Sequence, residues 1–290
     1  MNLDALTAPA SRVKRVDGTV NTNARYVLYW MTAQRRLGAN FALQQAVAHA
    51  RALGLPLLVL EALRCDYRHA SDRLHRFVLQ GMRDNAQTCE HAGVAYYPYV
   101  EPERGAGKGL LARLAEDAAL VVADEYPCGF YPRMLRAASR QLRTRVEIVD
   151  GCGLMPLGAA DKDFARAYDF RRFLQRELRD HLDERPSSRP LAGLTGMPRA
   201  RIAREITTRW PRATKALLDG GSLSALPIDH DVPPIEATGG PGAGMERLAE
   251  FIESDLAAYA ESGRLDLTKS RTSRLSPYLH FGHVGAHQVF

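Results

Sequence analysis

The densest group of side chains able to hold a charged ligand is SRTSRLSPYLHFGHV, residues 270–284. Ser276 followed by Pro277 marks a helix start: the hydroxyl can cap a free backbone N–H, and proline at the first helical position has no N–H to lose and a preset φ. Thr272, Ser273 and Arg274 add hydroxyls and a guanidinium beside that positive helix end, an arrangement suited to a phosphate or pyrophosphate. A capped helix that binds nothing would carry the same residues, and both meanings stand at this point.

Other candidate motifs fail on spacing. GAGKG at 105–109 has Pro102 where a phosphate loop needs its first glycine and Gly109 where it needs Ser or Thr. TGGPGAG at 238–244 follows no strand, so it is no dinucleotide fingerprint, and both runs read as flexible turns. His280, His283 and His287 could share one helical face, but no carboxylate or cysteine accompanies them and no metal is expected. No GxSxG elbow marks a hydrolase nucleophile. Cysteines 65, 89, 128 and 152 form no CxxC pair and read as buried or half-buried thiols.

The elements that must position the signature begin with short apolar runs at 26–31, 55–63, 94–100, 119–125 and 146–151. Between them, residues 40–53, 70–92, 108–118 and 131–142 repeat apolar residues three or four apart. Near-continuous apolar strands alternating with helices predict an α/β fold with a mainly parallel sheet covered on both faces. Such sheets bind ligands at the carboxyl ends of their strands, which here carry Trp30-Met31-Thr32, Asp124-Glu125-Tyr126 and Asp150-Gly151. A polar leader of about two dozen residues precedes the first strand and is expected to be partly disordered. A charged helix is expected over 161–184, a Gly/Pro/Ser-rich linker over 220–244, and a further helix over 245–262 with Leu248, Phe251, Ile252, Leu256 and Tyr259 on its apolar face.

The 290 residues are 46% hydrophobic and 25% charged, which excludes a disordered or collagen-like chain and predicts two domains. No run reaches the length of a membrane helix and the N-terminus has no secretory signal, so no membrane association and a cytoplasmic location are expected. Net charge is +6, and 34 of the 39 basic residues are arginines. Residues 185–215 hold eight basic residues against one acid. Arg201, Arg204 and Arg209 in that stretch could face a nucleic-acid backbone, or simply solvent.

TSRLSPYLHFG, residues 272–282, closely resembles the signature that opens the FAD-binding helical domain of the DNA photolyase and cryptochrome family. YVLYWMTAQRRLGANFAL (26–43) and YRHASDRLHRFVLQGM (67–82) resemble segments of class II cyclobutane pyrimidine dimer photolyases, and 244–259 resembles the lead-in to the signature. The resemblance implies a Rossmann-like parallel-sheet N-terminal domain, then a linker and the first helices of an all-α FAD-binding domain. It implies that Tyr259, Thr272, Ser273, Arg274, Leu275 and Ser276 contact FAD, the signature residues mainly at its phosphates. The sheet domain would be the antenna domain, which in many members holds a deazaflavin or folate chromophore. UV-damaged DNA is the implied partner, with repair of cyclobutane dimers by an electron from reduced FAD as the implied activity and a monomer as the expected state.

The domain boundaries follow as a leader over 1–24, the antenna domain over 25–185, a basic helix and linker over 186–244, and the start of the FAD domain over 245–290. The chain stops 14 residues past Ser276, so relative to the family it reads as C-terminally truncated and inactive alone. Catalytic residues facing the flavin ring and lesion are expected beyond Phe290, and residues 245–290 are expected to be exposed and weakly stable. Two competing readings are a cryptochrome-type photoreceptor and a nucleotide-binding α/β enzyme related only by fold.

Overall fold

A computed structural model describes residues 7–16, 18–259 and 271–290. Five strands are parallel: β2 (Tyr26–Met31), β3 (Leu57–Leu63), β4 (Ala95–Val100), β5 (Ala118–Glu125) and β6 (Val146–Asp150). β1 (Val13–Val16) adds an antiparallel edge to β6, giving the order β1-β6-β5-β2-β3-β4. The chain winds outward from β2 in both directions, so a switch point lies between β2 and β5.

Helices α1 (Phe41–Leu53) and α2 (Asp72–His91) cover one face; α3 (Leu110–Glu116) and α4 (Tyr131–Gln141) cover the other. Alternation along β2 sorts the core: Val27, Tyr29 and Met31 pack with Phe41, Leu43 and Val47 of α1, while Tyr26, Leu28 and Trp30 pack with Leu110 and Leu114 of α3. The Asn40 side chain accepts the Leu43 N–H to start α1, and Ser71 does the same for α2 through Leu74.

Several sequence expectations give way. The leader is ordered from Thr7 on within the described residues, because Arg12 is buried: it pairs with Glu184 at 2.9 Å, donates to the Gly153 and Leu154 carbonyls, and lies over the Phe41 ring. The charged helix is shorter than 161–184: α5 spans Ala167–Glu177 and tightens into a 3-10 turn over Leu178–His181. The basic stretch holds, in place of one long helix, a 3-10 turn over Pro190–Leu194 and the short helices α6 (Arg204–Arg209) and α7 (Lys215–Leu218). Cys128 is exposed rather than buried.

The linker is not loose. Asp229 and Val232 carbonyls accept N–H groups of Asp72 and Arg73, seating the linker against the start of α2. Gly239 crosses α2 so closely that a Cβ there would lie 2.0 Å from the Phe77 carbonyl oxygen. The following helix, α8 (Pro241–Ser254), starts earlier and ends earlier than 245–262, since Pro241 supplies a first-turn position. Leu248 and Phe251 are buried, while Ile252, Leu256 and Tyr259 of the expected apolar face are exposed. Residues 260–262 of that expected helix lie outside the described residues.

Candidate functional site

The signature forms α9 (Ser276–His280), followed by a turn and α10 (Ala286–Val289). Leu275 occupies the cap position of α9 and Ser276 is already its first helical residue, so the expected Ser276 side-chain cap is not made. That leaves Ser276 exposed, beside exposed Arg274 and half-buried Thr272 and Ser273. The Leu275 side chain points into a cluster with Phe77, Leu248, Tyr278 and Val284. That cluster ties the described part of 245–290 to α2, while Ile252, Leu256, Leu279 and Phe290 stay exposed as expected for that stretch. Burying the four side chains of Leu248, Leu275, Tyr278 and Val284 against Phe77 of α2 is worth several kcal/mol before ordering costs.

Two anchors shape the loop ahead of α9. Arg247 on α8 donates from Nε to the Ser273 carbonyl at 2.9 Å and pairs with Glu250 and Asp255. Arg274 takes a left-handed φ of 55°, uncommon for a residue with a Cβ, and leads into α9. Tyr259 touches Phe251 of α8 edge-on at 5.6 Å. α8 therefore carries both the Tyr259 contact and the tether to Ser273.

Behind the signature the chain is locked to the sheet domain. His283 is fully buried; its Nδ1 accepts the Gly240 N–H at 2.9 Å and its ring stacks on Phe77. Burial beside Arg35 and Arg36 lowers its pKa to about 3, so it is neutral at pH 7. Arg36, also buried, donates to the Gly282 carbonyl and to Ala39 O. Gly282 has φ +71°, and a Cβ there would meet Ala33 O at 1.9 Å. His287 sits edge-on to Phe41, and His280 is exposed against Phe281. The three histidines therefore share no helical face, and no metal-binding group occurs among the described residues. Arg36 and Arg247 escape the sequence reading, and His283 enters it only as a candidate metal ligand, because an arginine or histidine in an ordinary helical or loop context gives no local sign of its distant partner.

The strand ends are closed. The Asp124 carboxylate is buried at the end of β5, where one oxygen accepts the N–H groups of Thr32, Ala33 and Gln34 at 2.8 to 2.9 Å. Its other oxygen accepts the Tyr29 hydroxyl at 2.7 Å. The loop after β2 thus spends on the protein's own carboxylate the donors that a nucleotide phosphate would need. Asp150 likewise accepts the Cys152 and Leu157 N–H groups. At the neighbouring strands, Glu61 is buried with Arg35, Asn85 and Tyr96, all hydrogen-bonded to it. Burial beside that carboxylate raises the Tyr96 pKa well above its ordinary value.

The GAGKG turn is structural rather than loose: the Gly107 N–H donates to buried Glu101, and the Trp210 indole donates to Ala106 O. Arg201, Arg204 and Arg209 are all exposed. They lie on the α3 face of the sheet, whereas the signature lies on the α2 face, so the structure does not bring these two candidate groups together.

Residues 27–191 match the family model of DNA photolyase, more than half of the chain. The chain belongs to the DNA photolyase family. It is 27% identical over 278 residues to a deoxyribodipyrimidine photo-lyase of Methanothermobacter thermautotrophicus, covering 95% of this chain and 58% of that relative. A second relative of the same description, from Oryza sativa subsp. japonica, is 30% identical, with 90% and 51% covered. The chain thus spans about half the length of these photolyase relatives. Among solved structures, a bacterial class III photolyase from Agrobacterium tumefaciens is similar, with a TM-score of 0.67 at 21% identity over 92% of this chain and 52% of that one. A Synechocystis cryptochrome gives a TM-score of 0.62 at 15% identity, covering 91% and 54%. The sheet has the Rossmann-like architecture of photolyase N-terminal domains.

Proposed function

We propose that this photolyase-family chain forms the antenna domain and the opening of the FAD domain of a light-driven deoxyribodipyrimidine photolyase, acting on cyclobutane dimers in UV-damaged DNA. The observation that carries the reading is the signature loop: Thr272, Ser273, Arg274 and Ser276 stand together at an accessible rim while Leu275 alone turns inward. Hydroxyls plus a guanidinium fit the phosphates of FAD, since each can donate to a phosphate oxygen. Leu275 would contribute its backbone, not its side chain. Tyr259, on the turn after α8, would lie against the cofactor. When bound and reduced, FAD supplies the photoexcited electron that opens the dimer. Arg247 and Arg274 hold the loop shape, and the Phe77 cluster with His283 keeps α9 fixed to the sheet domain.

The class II subclass, a deazaflavin or folate antenna in the sheet domain, a monomeric state, cytoplasmic action and the domain boundaries at 24, 185 and 244 belong to the same proposal. Among the described residues no helix is long and apolar enough to cross a membrane. The closed loop at Asp124 argues against a nucleotide enzyme that uses the crevice at the switch point. The likeness to the Synechocystis cryptochrome favours a second reading, a flavin photoreceptor on the same scaffold.

The test uses the protein extended to the length of its relatives. Blue light should restore a dimer-containing oligonucleotide, and Ser276→Glu, which sets negative charge against the phosphates, should lower bound flavin at least tenfold. Unchanged flavin content in the variant would overturn the reading of the motif. Photoreducible flavin without repair would favour the photoreceptor.

A further inference from the structure

The segment from 185 to 215 wraps around the β4 edge of the sheet. Leu191 and Leu194 pack on the α1 face, Ala200, Ile206 and Trp210 pack on the α3 face, and the Ala213 N–H returns to the Pro98 carbonyl of β4. Trp210 is the anchor: its indole N–H donates to Ala106 O at 2.9 Å, and its carbonyl accepts the Tyr97 hydroxyl. With Ile206 and Trp210 turned inward, Arg209 between them is turned out, as are Arg201 and Arg204 ahead of them.

Arg199, Arg201, Arg204, Arg209 and Arg212 are all exposed. Among the described residues none of these five pairs with a carboxylate; Glu205, the one acid of the segment, is taken by Arg113 at 2.9 Å. Two of them are held as flat plates, Arg209 over the Trp210 ring at 4.4 Å and Arg212 over the Tyr97 ring at 5.1 Å. Arg199 is near enough to Arg212 that like-charge repulsion adds to burial in lowering the Arg212 pKa. Such a surface is under electrostatic stress until an anion arrives.

The chemistry of that anion is readable from what is missing and what is present. Residues 185–215 expose no large hydrophobic side chain, so the patch lacks the aromatic or aliphatic anchors that dominate binding to a protein partner. It presents guanidinium groups whose planar forks suit phosphate oxygens, two of them pre-oriented by rings. We infer that Arg199, Arg201, Arg204, Arg209 and Arg212 form a sequence-independent binding surface for the phosphate backbone of duplex DNA, separate from the signature and on the opposite face of the sheet. The inference rests on DNA being the partner of this protein. It adds a contact region apart from the signature, beside the α3-face cluster rather than the Phe77 cluster.

The test uses this 290-residue chain in the dark, without flavin, with an undamaged 20-base-pair duplex followed by fluorescence anisotropy over a salt series. Its outcome is thus independent of flavin binding and repair. R201Q/R204Q/R209Q should weaken binding at least tenfold at 0.1 M salt and flatten the log–log salt slope by about 2 to 3, roughly 0.9 per lost phosphate contact. R201Q/R204Q leaves the Arg209–Trp210 stack intact and should flatten the slope by about 2, which separates lost charge from a disturbed fold. R171Q/R172Q/R176Q removes the same charge from α5 and should leave the slope unchanged. A parent slope in the first variant, equal losses in the first and third, or no duplex binding by the parent would each overturn the inference. Tighter parent binding to poly-glutamate than to the duplex would overturn it in favour of an acidic protein partner.

Discussion

The loop after β2 and the signature loop before α9 are both rich in hydrogen-bond donors, yet they end in opposite conditions. In the first, three successive N–H groups converge on a buried Asp124 oxygen. In the second, Arg247 takes the Ser273 carbonyl, while Ser276 and Arg274 stay at the surface. One loop has satisfied itself and become part of the core; the other is held in shape from behind and left open in front. Donor content therefore does not identify a ligand site; what matters is whether a carboxylate of the same chain already occupies the donors.

The largest effect should come from breaking the closed loop. Asp124→Ala orphans three buried N–H groups, each costing about 1 to 3 kcal/mol, and removes one partner of the Tyr29 hydroxyl, which keeps Asn40, so unfolding in urea should show a loss of at least about 3 kcal/mol. A loss under about 1 kcal/mol would mean that solvent or a ligand can replace the carboxylate, and the contrast between the loops would fail.

An intermediate effect should appear on acidification, because two neutral histidines, buried His283 and half-buried His287, lie behind the open loop. His283 is lowered to about 3 and His287 to about 4, both mainly by burial, with Arg36 adding to each. The unfolded chain takes up these protons near pH 6.5 and the folded chain does not, so stability is full above about pH 6.5 and falls as pH drops towards 4. The slope should be about 1.4 kcal/mol per pH unit for each histidine. Denaturant midpoints between pH 7 and 4.5 check this, and His283→Asn should remove its share of the slope while retaining an acceptor for the Gly240 N–H. An unaltered slope in that variant would show that His283 is not linked to folding.

The smallest effect is expected at the open loop. Ser276 is exposed at the first position of α9, so Ser276→Glu should change stability by under about 0.5 kcal/mol. Paired with its expected large effect on flavin, this separates a binding role from a structural one. A loss near that of Asp124→Ala would place Ser276 in the structure rather than at a binding rim.

Much of the fold was legible in the residues. The run YVLYWM coincides with β2, and the apolar repeats over 40–53 and 70–92 coincide with α1 and α2, whereas the cap expected at Ser276 is not made. The family was legible too, in the compact signature at 272–282. Less legible was β1: VKRV has little apolar alternation, and it forms because the β6 edge offers unpaired backbone groups and because Arg12 finds Glu184 and two carbonyls far along the chain. The glycines at 239 and 240 looked like slack in a linker, but they mark the point where the linker passes against the backbone of α2.

The sequence by itself determined periodicity and charge, since these depend on neighbours within a few residues. It therefore established the parallel α/β architecture, the arginine-rich stretch and the signature. Only the tertiary structure decided that Leu275 faces inward, that the Asp124 carboxylate fills the loop after β2, and that the arginines lie across the sheet from the signature. Each of those outcomes depends on a partner dozens of residues away, and the free energy of burying or satisfying a group is set by that partner rather than by the residues beside it in sequence.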